Sequence, residues 1–176
     1  MPQPEIDFYP VNHITTDAIG KPGQRVFYLQ ATQGDQVITL LVEKVQIQTL
    51  SVGLEQFLNE IYERYPGLPE ASDEFAEDKM HISPPVDPLF RVGELGLAYD
   101  ADRDLVILVT REVVAEGQDP EESRTLRFWC SRSQVLAMCR WGLEVAAHGR
   151  PICPQCGEPM DPEGHFCPKK NGNSRQ

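Results

Sequence analysis

Cys153, Cys156, His165 and Cys167 fall within fifteen positions of the stretch CPQCGEPMDPEGHFCPKKNG. Two thiolates spaced C-x2-C on a tight turn can reach one ion at about 2.3 Å, the zinc–sulfur distance. Gly157 follows the second cysteine, where such a turn needs tolerance of positive φ. His165 and Cys167 come after eight further residues, with Gly164 easing the bend. The C-x2-C-x8-H-x-C set supplies four soft or borderline donors, enough to close a tetrahedral Zn2+ site with no open position. The expected role is therefore structural. His148, five residues before Cys153, is an alternative fourth ligand, although a histidine at a helix C-terminus also suits the helix dipole. A redox pair of Cys153 and Cys156 fits poorly, because such a pair opens a helix and prolines flank this one. Cys130 and Cys139 read as buried core thiols.

Elsewhere the chemistry is sparse. No phosphate-binding glycine loop, nucleophile elbow or HExxH helix occurs in the chain. His13, in PVNHITTD, and His81, in KMHISPP, are candidate bases with ordinary alternatives as satisfied or exposed side chains. Arg91 and Arg103 are candidate anion ligands, for which salt bridging in so acidic a chain is the simpler account. The run EASDEFAED lacks the alternating ligands and central glycine of a calcium loop and reads as a solvated acidic segment.

The elements that would position these groups form two similar sets. EIDFYPVNHI reads as a strand weakened by Pro10, followed by strands RVFYLQAT and QVITLLVE around the tight QGD turn. Leu50, Leu54, Phe57, Leu58 and Ile61 then recur at helical spacing, predicting a helix over about 44–64 that YPG ends. The second set holds strands LFRVGELGLAYD, LVILVTREVV and RTLRFWCS. A helix follows, capped by Ser131 or Ser133 and running to about His148, with Val135, Met138, Cys139, Leu143 and Val145 as its apolar stripe. Between the sets, residues 65–88 hold five prolines and six acidic residues, which predicts a long, mobile connection. The fold class expected is α+β. Its body, 1–148, is an antiparallel sheet system of two βββα halves, about 5–64 and 89–148, and a zinc-knuckle or ribbon-like tail occupies 149–176. Phe8 and Val11 loosely answer Phe90 and Val92, and VGLEQFL answers WGLEVAA, so an internal duplication is considered.

The net charge of −11 is uneven: the last 28 residues carry four cations against three carboxylates, leaving −12 on the body. Such a body repels phosphate, so any nucleic-acid contact is confined to Lys169, Lys170 and Arg175. The longest apolar runs, ITLLV and LVILV, are too short to span a bilayer. The opening MPQPEIDFYP has no basic-then-apolar leader pattern, and five cysteines, an odd number, argue against a secreted disulfide framework. A cytoplasmic location is expected.

The stretches FRVGELGLAYD and GRPICPQCGEPMDPEGHFCPKKNG resemble a family of uncharacterised proteins from actinobacteria and related bacteria, a domain of unknown function. The resemblance covers most of the chain and its most specific part is the tail; it implies no activity and no fold. The leading functional expectation is a zinc-stabilised, non-enzymatic interaction or accessory protein with a protein partner. The alternative is an enzyme with its site in a groove between the halves, lined by His13, Arg91 or Asp100. Nucleic-acid contact through the basic tail is the weaker third.

Overall fold

The computed structural model describes residues 5–21, 23–148 and 155. The chain runs β1 (Glu5–Phe8), β2 (His13–Ile19), β3 (Val26–Gln33), β4 (Gln36–Val42), α1 (Lys44–Arg64), β5 (Val92–Asp100), β6 (Leu105–Glu112), β7 (Thr125–Cys130) and α2 (Arg132–Ala147). It is an α+β architecture with antiparallel meanders and two helices. The strands form two sheets, ordered β2-β3-β4 and β1-β7-β6-β5. The stretch expected as a single first strand divides at Tyr9–Asn12. Its start, β1, pairs in parallel with β7, and its end opens β2 in the other sheet. Pro10 cannot donate to a ladder, and the break falls there.

Both helices begin with the same device. Gln46 Oε1 accepts from the Glu43 backbone N–H at 2.7 Å, and Gln134 Oε1 accepts from Ser131 N–H at 2.8 Å. Each glutamine amide then donates to the chain entering the other unit's first strand: Gln46 to Val92 O at 3.0 Å, Gln134 to Val11 O at 3.2 Å. Gln134 also reaches Asn12 O. Each capping box thereby satisfies orphan helix donors and ties the two units together.

The two units, β2-β3-β4-α1 and β5-β6-β7-α2, share one strand-pairing register. Pairing through the meanders sets β2 against positions 94–100 of β5, and β3 against all of β6. Glu43 and Gln46 correspond to Ser131 and Gln134, a shift of 88 positions that Ser51 and Cys139 share where the helices cross; Ser51 Oγ donates there to Cys139 O at 3.4 Å. The arrangement is reciprocal, because α2 packs along β2 and α1 beside β5. The chain preceding each first strand also pairs in parallel with the other unit's last strand, β1 with β7 and Arg91 with Leu41 of β4. Val11 and Val92 therefore do correspond, both accepting from a capping glutamine. The VGLEQFL–WGLEVAA match does not, being one residue out of the helix register and so rotated by about 100°.

Leu40, Leu54, Leu108, Leu126, Phe128 and Val135 anchor the core between sheets and helices. Polar residues fill the opposite face of the first sheet, where Thr15, Asp17, Gln30 and Thr39 are all buried. Residues 80–83 of the 65–88 connection cover that face, although the connection's composition predicts mobility. Thr15 Oγ1 donates to Met80 O at 2.6 Å, Gln30 exchanges two hydrogen bonds with Ser83, and Asp17 Oδ2 accepts from Ile82 N–H at 3.1 Å. Met80 is itself buried.

Candidate functional site

The four expected zinc ligands, Cys153, Cys156, His165 and Cys167, lie outside the described residues. His148 is described. It caps the C-terminus of α2 through its backbone N–H to Glu144 O, and its carbonyl accepts from Arg25 Nη1 at 2.9 Å. Arg25 Nη2 also binds Val145 O, so one guanidinium satisfies two carbonyls at the negative end of the helix.

His148 lies on the rim of a cleft of about 200 Å3 lined also by Asp17, Glu77, His81, Trp141 and Glu144. Here the structure joins residues that the sequence keeps far apart. His81 Nδ1 lies 3.0 Å from Asp17 Oδ2, and the carboxylate is further fixed by the backbone N–H groups of Ala18 and Ile82. The Asp17 carboxylate accepts from these groups and orients the imidazole through its Nδ1 side. The Asp17 side chain is 12% exposed and the His81 side chain 57%. The His81 ring also meets the Trp141 indole edge-on, with centroids 5.2 Å apart, and Trp141 packs on Phe75 from the other side. Trp141 Nε1 donates to Thr16 O at 2.8 Å, on the open edge of β2. An oriented imidazole beside a carboxylate is able to act as a general base or a metal ligand. Among the described residues, however, no group of three or more His, Cys, Asp or Glu side chains is placed to hold a metal ion.

The other sequence candidates do not converge. His13 opens β2, half-buried, with Nε2 lacking a hydrogen-bond partner among the described residues. Arg91 pairs with Glu43 at 2.7 Å, and Asp100 with Arg103 at 2.7 Å. The Arg103 guanidinium also lies over the Tyr9 and Trp129 rings. Among the described residues Arg91 and Asp100 are thus each held in an ion pair of their own. Cys130 and Cys139 are buried free thiols, as expected; burial pushes Cys130 far up and Cys139 up to about 11, so neither is a ready nucleophile.

Several of the body's arginines are committed to carboxylates. Arg132, with its side chain 8% exposed, binds Asp104 through two nitrogens and also reaches Pro69 O. Hydrogen bonding to Arg132 holds the Asp104 carboxyl below its usual range, while burial and the Asp104 hydrogen bond push Tyr99 up to about 12. Arg124 grips Glu112, and Arg127 grips Asp7, whose carboxylate also accepts from Trp129 Nε1; both carboxyls are lowered by those hydrogen bonds.

Among the described residues no helix is long and apolar enough to cross a membrane. Neither the curated proteins nor the solved structures contain a match to this chain. A family model described as "Protein of unknown function (DUF3090)" matches residues 6–167, nearly the whole body and the tail as far as its last cysteine, and the chain belongs to that family.

Proposed function

We propose that the chain is a zinc-stabilised, non-enzymatic interaction protein of the bacterial cytoplasm, made of an α+β body (1–148) and a zinc-binding tail (149–176). The observation that carries this reading is the donor spacing of Cys153, Cys156, His165 and Cys167, a closed four-ligand set with no place for a substrate water. His148 is the alternative to His165. Zinc would contribute about 10–16 kcal/mol of apparent binding free energy, ample to order a tail with little core of its own. The body adds support: Arg25, Arg124, Arg127 and Arg132 are spent on carboxylates and carbonyls within the fold, which suits a scaffold more than a reaction centre. The reciprocal capping of the two units supports their origin by duplication. Metal analysis of the purified full chain should give one zinc per chain, falling sharply in Cys156→Ser. A metal-free protein that retains its partner through residues 149–176 would overturn the reading.

A second reading, an enzyme, is favoured by the Asp17–His81 pair in its cleft. Its mark would be an activity lost in both His81→Gln and Asp17→Asn while the fold survives. An activity indifferent to both variants would remove this reading.

A further inference from the structure

The two helix–strand junctions correspond residue by residue, and they are filled differently. On one side α2 lies close along β2: an ideal Cβ on Gly142 would stand 2.8 Å from both Thr16 Cγ2 and Ile47 Cγ2. One turn position away, Trp141 covers the open edge of β2 and donates its indole N–H to Thr16 O. On the other side, the residues in register with Gly142 and Trp141 are Leu54 and Gly53. Leu54 is fully buried. Gly53 has nothing within 4 Å of its ideal Cβ. The result is a cleft of about 360 Å3 between α1 and β5, lined by Val45, Thr49, Gly53, Leu95, Gly96 and Leu97 among others.

We infer that this cleft is the receptor for a tryptophan side chain presented by a partner protein. The molecule contains its own precedent for the occupant. Leu97 holds the place in the β5–β6 register that Thr16 holds in β2–β3, so its carbonyl stands where the other side receives an indole N–H. A mainly apolar cleft with a backbone acceptor on its strand edge suits a large ring carrying one donor. The chain cannot supply that ring from its described body. It has two tryptophans; Trp141 is buried in the equivalent site, and Trp129 Nε1 is already bound to Asp7. The partner's chemistry is further limited by charge. Glu94, on the strand between cleft residues Gly93 and Leu95, has no ion-pair partner among the described residues, and the chain's net charge is −11. A tryptophan flanked by lysine or arginine fits best. The end-strand position of β5 suits an extended segment, which can also use the unpaired backbone groups of that edge. This inference rests on the reading of the chain as an interaction protein and names a surface on the body, separate from the zinc tail.

The test is a titration of the isotopically labelled full chain with a capped Lys-Trp-Lys tripeptide, followed by amide shifts. Saturable shifts should centre on Val45, Thr49, Leu95 and Leu97, and the same peptide with alanine for tryptophan should produce none. Gly53→Trp, which fills the cleft in cis, should weaken binding at least about tenfold. Val45→Lys, at a position 63% exposed and so safe for folding, should weaken it several-fold by charge repulsion. An absence of saturable shifts, or shifts indifferent to both variants, would overturn the inference. Shifts that emerge only in Phe166→Ala would also overturn it, since the occupant would then be the one aromatic ring of the chain's own tail. Loss of zinc in Cys156→Ser with peptide binding intact would separate failure of the cleft from failure of the metal reading.

Discussion

The α2–β2 junction is sealed at Trp141 and the α1–β5 junction is open at Gly53, although both are built from the same elements in the same register. Two neighbouring helix positions make the difference. On the sealed side a glycine admits the strand and a tryptophan closes the edge; on the open side a leucine stands in the glycine's place and a glycine in the tryptophan's, and a gap remains. Packing geometry, more than secondary structure, decides which half of a near-symmetric fold presents a receptive surface.

The comparison breaks most sharply at Trp141. Trp141→Ala should cost about 3–5 kcal/mol, because it opens a buried cavity and strands the contacts of Phe75 and His81. Urea unfolding measures it; a loss below about 1 kcal/mol would mean the seal is not made by this ring. Gly142→Ala should cost about 1–3 kcal/mol by forcing α2 off β2, since its Cβ has no room against Thr16 and Ile47. By contrast Val52→Ser, on the 69% exposed face of α1, should leave stability within about 0.5 kcal/mol. Asp17→Asn should cost about 1 kcal/mol and loosen His81 and Ile82 against the first sheet, visible as faster amide exchange at Ile82.

Acid should loosen the two halves through named carboxylates. Asp7, Asp104 and Glu112 bind protons less tightly in the folded chain, because arginines bond to their ionised forms. Their stabilisation is complete above about pH 5 and is lost as pH falls through the lowered folded values. Arg124→Gln removes the share of Glu112, so stability in that variant should decline less steeply on acidification than in the parent chain. An unchanged slope would show that this pair is not linked to folding.

The helices were legible in the sequence because their period is strong: α1 spans Lys44–Arg64, and Ser131 caps α2 with Oγ accepting from Gln134 N–H. Leu143, expected in the apolar stripe of α2, instead lies on its exposed side, while Trp141 takes the buried one. β2 was harder to see, since HITTDAI carries polar residues on a buried face and lacks the usual alternation. Those polar groups are satisfied by residues 80–83, more than sixty positions away, and no local pattern announces that pairing. For the same reason the sequence shows His81 alone and not its pairing with Asp17. The α1–β5 cleft depends on Gly53 standing where its counterpart carries tryptophan, and the apparent sequence repeat aligned those helices one residue out of register.

The central claim is that the open side is shaped for the ring the sealed side already holds. Its most direct test is the stability of Gly53→Trp measured against Gly53→Ala. Alanine should gain about 1 kcal/mol from helix propensity alone. Tryptophan, a weaker helix former, should nevertheless exceed alanine, because its ring enters the cleft and its N–H meets the edge of β5. A Gly53→Trp protein less stable than Gly53→Ala would contradict the account.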